Sequence, residues 1–559
     1  MTGRTGSHAE LITKARKAGW TPGARDVDAL LDALSETGEG EGGEALAQDL
    51  QKALLRVEGA SVAGRIVPRA AAAVRPARAR LVRVMGELAR VRPDDAALVA
   101  CLTDFADDSD MKARLNAIHA LGRLSGGAVE KTLLDRWAQA PRPEERRALL
   151  RALGTAGGAE ALAVLSAAAV PADDPLAATL QGKAVLILKR TLARSEEGAG
   201  AVDAAAPFSE HAVVELATRA GLETLLAEEA RAAGFKIPGA PKVGSGKVRI
   251  KGVKALGELA KLRLHEGFRV VVKNEVLKVA LASGDAKAVA EALAKPAVAG
   301  LLASLTKGKV RFRLAWDGRG RAEIWRLAEA MAAAAPQLVN DPTASVWEIH
   351  LTEGAGALLK PRRLADERFA YRRADVPAAS KPSLAAALAR VAGVRADDVV
   401  WDPFCGSGLE LVERAKLGAF ASLQGNDLEK DALEAARVNL AAAGVEARLV
   451  LGDALEEQSV KPTLIVTNPP MGRRVQRGNL KPLLADFVKH AAEVLQPGGR
   501  LVWVSPLPEL TAELAERAGL RLERRIPLVM GGGAAADGET KEAASKGGFP
   551  AELQRLVKA

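Results

Sequence analysis

Apolar residues in the first third of the chain recur at helical spacing, and small residues recur with them. VRVMG ends at Gly86, IHALG at Gly122 and LRALG at Gly154, which are spacings of 36 and 32 residues. A fourth copy, KAVLILKR at 183–190, follows RALLRALG at 147–154 by 36 residues. A period in the thirties on helical segments is the mark of stacked helix pairs. The pattern predicts helices throughout 1–195. Residues 193–209 are small, acidic and proline-bearing, and read as a linker. From about 210 the spacing changes. HAVVELATRAG reads as a strand and LETLLAEEARAAGF as an amphipathic helix. KVRIKG and FRVVVKN read as further strands, separated by a helix around Val253–Leu264. Beyond 398, short strand-like runs (VVW, SLQGND, ARLVL, TLIV, RLVWV), most of them apolar, alternate with helical segments. That alternation predicts βα units around a buried parallel sheet.

A chain of 559 residues exceeds what one core holds. The pattern changes divide it into 1–195, 210–352 and 365–559. Hydrophobic residues are 48% and aromatics only 3%, so Ala and Leu fill the cores. That balance favours helices and α/β elements over an all-β fold. Net charge is 79 − 69 = +10, which permits a polyanionic partner. Clustering is more informative. Residues 236–274 hold ten Lys/Arg and two Glu. Lys247, Arg249 and Lys251 on such a strand suit a phosphate backbone, although a solvated basic face has the same composition. Two cysteines, Cys101 and Cys405, make no disulfide scaffold and no zinc motif, so no metal is expected and a reducing, cytoplasmic setting fits. Met1–Trp20 is charged throughout and lacks a signal core. No uncharged apolar run reaches about 18 residues, so no membrane span is expected.

The candidate chemistry lies in the last third. DVVWDPFCGSG (398–408) is a buried-strand pattern ending in Asp402, followed by a glycine loop and a helix. Gly406 and Gly408 let the backbone turn sharply and approach a nucleotide-like ligand. The next helix N-terminus offers N–H donors to a carboxylate, and Asp402 can pair with an ammonium. The loop is not GxGxxG, which argues against a dinucleotide. Asp427 ends the second strand, 427 − 402 = 25 residues on, where it can accept from both ribose hydroxyls. Asp453 ends the third, placed to meet an adenine amino group. One Asp after a strand is usually a helix cap, but three in this order are not explained that way. TLIVTNPPMG (463–472) adds a fourth strand and the loop Asn468-Pro469-Pro470-Met471. The prolines fix the loop and remove N–H groups. The Asn468 side-chain carbonyl and Pro469 backbone carbonyl are left as acceptors able to hold an exocyclic –NH2. Arg473 and Arg474 follow and could hold phosphates. Cys405 reads as a packing residue within the loop.

These segments resemble known families. Residues 75–192 are similar to HEAT-like repeats. ELATRAGLETLLAEEARAAGF resembles the opening of the ferredoxin-like module that precedes THUMP domains. KVRFRLAWDGRGRAE, IWRLAEAMAAA and QLVNDPTASVWEIHL resemble a THUMP domain, most specifically at the Asn340-Asp341-Pro342 turn and the strand around Trp347. DPFCGSG and TNPP resemble class I methyltransferases acting on exocyclic amines. The likeness is closest to the THUMP-containing branch that forms N2-methylguanine in tRNA or rRNA. RFAYRR, with the only tyrosine (Tyr371), and ASKPSLAAAL resemble that branch's pre-catalytic segment, and GGFPAELQRLVK its last strand. Two positions depart from the pattern: Leu409 stands where Thr is usual, and Met471 where an aromatic would stack on the base.

The resemblance implies a multidomain fold of α-helical HEAT-like repeats, an α+β ferredoxin-like/THUMP module and an α/β Rossmann-like methyltransferase domain. It implies S-adenosyl-L-methionine, held by Asp402, Phe404, Cys405, Gly406, Gly408, Asp427 and Asp453. It implies catalysis through Asn468, Pro469, Pro470 and Met471, an RNA substrate, and a protein partner on the repeats. Two alternatives stay open at this point. One is an amino-methyltransferase acting on adenine or protein glutamine, which NPP also serves. The other is a non-catalytic RNA-binding scaffold, which Met471 and the HEAT-like region favour and the retained Asp402, Asp427, Asp453 and Asn468 disfavour.

Overall fold

The computed structural model describes residues 12–17, 20–38, 40–57, 59–93, 95–124, 126–139, 142–169, 173–195, 200–377, 379–456, 460–471, 480–531 and 548–559. The chain divides into two compact units, Met1–Ala199 and Gly200–Ala559. Among the described residues no helix is long and apolar enough to cross a membrane, and no group of three or more His, Cys, Asp or Glu is placed to hold a metal ion.

The first unit is helical. Its second half is a stack in which Ala77–Val91, Met111–Leu121, Pro143–Ala156 and Pro175–Ser195 lie side by side, alternating with Ala96–Phe105, Gly127–Gln139 and Ala159–Ala167. The recurring glycines explain the spacing. A Cβ on Gly86 would sit 2.7 Å from Ala120 Cβ, one on Gly122 2.7 Å from Ala152 Cα, and one on Gly154 2.9 Å from Ala184 Cα. Each glycine lets the next helix approach backbone to backbone. A ladder of ion pairs follows the same repeat: Arg78 with Asp108 (3.0 Å), Arg114 with Glu145 (3.3 Å) and Arg147 with Asp174 (3.0 Å).

The second unit holds two seven-stranded sheets. A short pair, β1 (Ala201–Val202) with β5 (Thr306–Lys307), opens it. The linker reading for 193–209 therefore fails after residue 200. Val202, Ala206 and Phe208 are buried there, and the Phe208 N–H donates to the Lys254 carbonyl at 2.7 Å. Small residues had hidden a segment that packs.

The first sheet runs β3 (Lys247–Ile250), β2 (Val213–Ala217), β4 (Gly267–Val272), β9 (Gly356–Pro361), β8 (Trp347–Thr352), β6 (Arg311–Trp316) and β7 (Val339–Asn340). It is mixed, since β6 is parallel to β7 and β8 while the other neighbours are antiparallel. Its central strand β9 lies beyond residue 352, so the sheet extends past the boundary that the pattern suggested.

The second sheet has the order β12 (Arg448–Leu451), β11 (Ser422–Asp427), β10 (Val399–Asp402), β13 (Leu464–Thr467), β14 (Arg500–Ser505), β16 (Gly548–Lys558) and β15 (Leu520–Gly531). Five strands are parallel, and β16 inserts antiparallel between β14 and β15. This is a Rossmann-like sheet. Trp401, Phe487 and Trp503 are wholly buried on its face. At its lower edge Asp398, fully buried, takes Arg414 at 2.8 Å and Arg500 at 2.7 Å. Burial opposes its charge, but the two guanidiniums hold it below the usual carboxylate range. The chain starts at the centre, β10, steps out to β11 and β12, then returns to β13. The strand ends therefore diverge between β10 and β13, which is where an open α/β sheet leaves a crevice.

Candidate active site

All three predicted acids lie at the C-terminal edge of adjacent strands. Asp402 ends β10 opposite Gly425, Asp427 ends β11 opposite Leu451, and Asp453 stands two residues past β12. Between them runs the loop 403–408. Gly406 (φ 50°) and Gly408 (φ 78°) adopt the left-handed region, and a Cβ on Gly408 would crowd Ala436 at 3.2 Å. The Gly406 N–H donates to Asp427 Oδ2 at 2.9 Å, so the second-strand acid also shapes the loop.

Asp402 is fully buried. Its Oδ1 accepts from Thr467 Oγ1 at 2.7 Å and from the Phe404 N–H at 3.2 Å, while its Oδ2 has no partner. Burial, reinforced by Glu410 and Asp427, pushes its carboxyl well above the usual range. A buried, orphaned carboxylate oxygen is costly unless a donor arrives. An ammonium is such a donor, so the residues present fit an amino-acid moiety here.

Cys405 packs. It is 2% exposed, its N–H donates to the Asn426 carbonyl at 2.9 Å, and Gly425 lacks the Cβ that would meet its Sγ at 3.0 Å. Burial and the acids Asp402, Asp427 and Glu410 push its thiol well up, the opposite of an activated nucleophile. The Phe404 ring stacks edge-to-face on Phe487 at 5.2 Å, bracing the loop from the core side.

Asn468 follows β13, the strand beside β10. Pro469 is buried, and Pro470 and Met471 are half-buried. The Asn468 Nδ2 donates to Ser380 Oγ at 2.9 Å, and its buried Oδ1 has no partner. Arg473 and Arg474 lie outside the described residues.

Lys247 and Arg249 stand on the edge strand β3 of the other sheet, with Lys251 just after it. Two of the three are held by one carboxylate: Glu215 takes Arg249 at 3.0 Å and Lys247 at 3.8 Å. β3 belongs to a different sheet from the strands that carry the loop residues.

Several residues around the site escaped the sequence reading. Glu410, in the first turn after the glycine loop, is 3% exposed and accepts from Ser380 Oγ at 2.5 Å. Its carboxyl is pushed up to about 7 by burial, with Glu413 adding and the Ser380 bond opposing. Glu413, three residues on, takes Tyr371 OH at 2.5 Å and Arg263 at 2.6 and 2.7 Å. Asn439, fully buried, accepts from the Arg373 and Ala374 N–H groups and donates to the Ser407 carbonyl, clamping 371–374 onto the glycine loop. Glu266 beside β4 takes Lys381 and Ser383, both at 3.2 Å. In sequence, LELVERAKL looks like a helix with a solvated acidic face, and nothing in it signals that both glutamates are buried.

Comparison with known proteins agrees with this geometry. Residues 370–532 match the family described as UPF0020: RMKL-like, methyltransferase domain. That stretch holds the glycine loop and the Asn468-Pro469-Pro470 loop. The chain is 30% identical over 165 residues to a tRNA (guanine(10)-N2)-dimethyltransferase of Methanothermobacter thermautotrophicus, covering 28% of this chain and 48% of that protein. It is 37% identical over 134 residues to a tRNA (guanine(6)-N2)-methyltransferase of Thermus thermophilus, covering 23% and 40%. The chain thus spans less than half the length of these two relatives. Among solved structures, TrmN from Thermus thermophilus is 26% identical, with a TM-score of 0.47 over 62% of this chain and all of that one.

Proposed function

We propose that this protein transfers a methyl group from S-adenosylmethionine to the exocyclic N2 amine of a guanine in tRNA or rRNA. One observation carries the reading. Two buried acceptors without partners, Asp402 Oδ2 and Asn468 Oδ1, stand at the ends of neighbouring strands where the sheet opens. The first suits the donor's ammonium and the second an acceptor's –NH2. The donor's sulfonium supplies an already activated methyl, so the protein's task is placement. Asp402 and the 403–408 loop would hold the methionyl part, Asp427 the ribose and Asp453 the adenine. Asn468 Oδ1 and the Pro469 carbonyl would hold the amine with its lone pair toward the methyl, and that proximity supplies much of the rate. A paired base would leave its stack to reach them. The names of the relatives support guanine N2 over adenine or glutamine.

We read the finer architecture in the same way. The glycine-spaced helix stack supports HEAT-like repeats able to carry a protein partner. The order of strand, helix and strand in 213–361 supports a ferredoxin-like and THUMP RNA-binding region. The two buried, free cysteines fit a cytoplasmic setting.

The test is transfer of labelled methyl to tRNA and rRNA by the full chain, followed by nucleoside mass spectrometry. N2-methylguanosine is expected. Asn468→Ala should lower turnover more than about a hundredfold, as removal of one positioned polar group does, and leave S-adenosylmethionine affinity intact. Label in another nucleoside, or full activity in Asn468→Ala, would refute the assignment. Met471→Tyr should preserve or raise activity. An inert wild type and an inert Met471→Tyr that both still bind RNA would point to the scaffold reading instead.

A further inference from the structure

A side-chain amide can face a substrate with its oxygen or its nitrogen, and only the oxygen can accept from an amine. Something must therefore fix which way Asn468 points. The loop prolines cannot, since they offer no N–H to the side chain. The structure supplies a chain of two further groups. Asn468 Nδ2 donates to Ser380 Oγ at 2.9 Å, and Ser380 Oγ donates to Glu410 at 2.5 Å. A hydroxyl has one proton. With that proton committed to the carboxylate, Ser380 can only accept from Asn468. The amide nitrogen is then committed to Ser380, and Oδ1 is left buried and unpaired.

We infer that Ser380 and Glu410 are positioning residues that set the orientation of the Asn468 amide, and that protonation of Glu410 releases or reverses it. The inference rests on the proposed amine-holding role of Asn468. When Glu410 takes a proton from solvent, its O–H can donate to Ser380 Oγ. The serine proton is then free to turn to Asn468, which binds it best through Oδ1. The amide flips, the nitrogen faces the crevice, and a donor stands where an acceptor is required. No covalent bond changes.

The surroundings of Glu410 favour such a switch near neutral pH. It sits inside the fold at 3% exposure. The titratable groups coupled to it are acidic or neutral: Asp402 on β10, Glu413 on its own helix, the Cys405 thiol in the loop and the Tyr371 phenol from the segment before the sheet. The Arg263 guanidinium is bound to Glu413. Glu410 thus keeps its proton to a higher pH than an ordinary glutamate, up to about 7.

The pair is tested by turnover at saturating S-adenosylmethionine, against pH, in wild type, Ser380→Ala, Ser380→Thr and Glu410→Gln. Wild-type kcat should fall as pH drops through neutrality. Glu410→Gln, whose amide oxygen still accepts from Ser380 but takes up no proton, should lose that acid limb. Ser380→Ala should lower kcat about tenfold, the worth of one hydrogen bond of about 1.4 kcal/mol, and Ser380→Thr should restore it. The affinity for S-adenosylmethionine should stay within twofold in both serine variants. A second measurement needs no activity: the side-chain NH2 signals of Asn468 in protein labelled with 15N-asparagine, identified by their loss in Asn468→Asp. They should shift with pH in wild type and stay fixed in Glu410→Gln. An acid limb retained in Glu410→Gln, or Asn468 signals that ignore pH in wild type, would overturn the inference. If the signals behave as expected but no RNA is methylated, the relay stands and the proposed function fails.

Discussion

Glu410 should destabilise the folded protein at neutral pH, and Glu410→Gln should remove the cost. Its carboxyl is buried at 3% exposure and pushed from 4.5 up to about 7 in the fold. Below about pH 4.5 the group is protonated in both folded and unfolded chains and contributes no penalty. Between 4.5 and 7 the unfolded chain sheds the proton and the folded chain keeps it, so stability falls as pH rises. Above 7 the loss is complete. The gap, 7 − 4.5 = 2.5, corresponds to about 3 kcal/mol at roughly 1.36 kcal/mol per pH unit. Asp402, raised in part by the Glu410 charge, acts in the same direction. Glutamine keeps the shape and the bond from Ser380 but has no charge to bury. The assay is calorimetric or denaturant unfolding of the full chain at pH 5 and pH 8.5, following the transition that the substitution moves. Glu410→Gln should gain little at pH 5 and on the order of 3 kcal/mol at pH 8.5. An equal effect at both pH values would refute the argument, because it would show that the glutamate's ionisation is not what burial opposes.

Three further outcomes are expected. Asp427→Ala removes the ribose acceptor and the partner of the Gly406 N–H, and should weaken S-adenosylmethionine binding at least about tenfold by calorimetry, since each lost charge-assisted bond is worth about 1.5–3 kcal/mol. Gly154→Val places a Cβ 2.9 Å from the Ala184 backbone, so overpacking should cost about 1–3 kcal/mol and hydrogen exchange across 143–195 should accelerate. Arg263→Leu strips Glu413 of its cation and leaves a buried carboxylate with only Tyr371, at about 3–5 kcal/mol; the double variant with Glu413→Leu should recover most of that loss in thermal unfolding.

The sequence by itself determined the elements whose signal is local. Strand–loop–helix units followed from short apolar runs and glycines, and the three acids and the NPP loop followed from their order after those runs. The stacked helices followed from a glycine recurring every 36 or 32 residues, because a backbone contact tolerates no Cβ and so leaves a mark in the chain. What the sequence left open depended on partners distant along it. Glu410 and Glu413 have the look of solvated helix residues, and only tertiary packing buries them, against Ser380 in one case and against Tyr371 and Arg263 in the other. Residues 200–209 looked like a linker because small side chains carry little pattern, yet they pair with β5 and bury Phe208. The strand Gly356–Pro361 fell outside the expected module because pairing, and not composition, sets it at the centre of the sheet. Charge alone pointed to Lys247 and Arg249, but whether such a charge is free depends on what stands across the strand, and there the fold sets Glu215. Asn468 is the clearest division of labour. Its identity and place after β13 are in the sequence, while the direction of its amide is decided by a hydroxyl 88 residues earlier and a carboxylate 58 residues earlier (468 − 380 and 468 − 410), which only the folded chain brings within a hydrogen bond of one another.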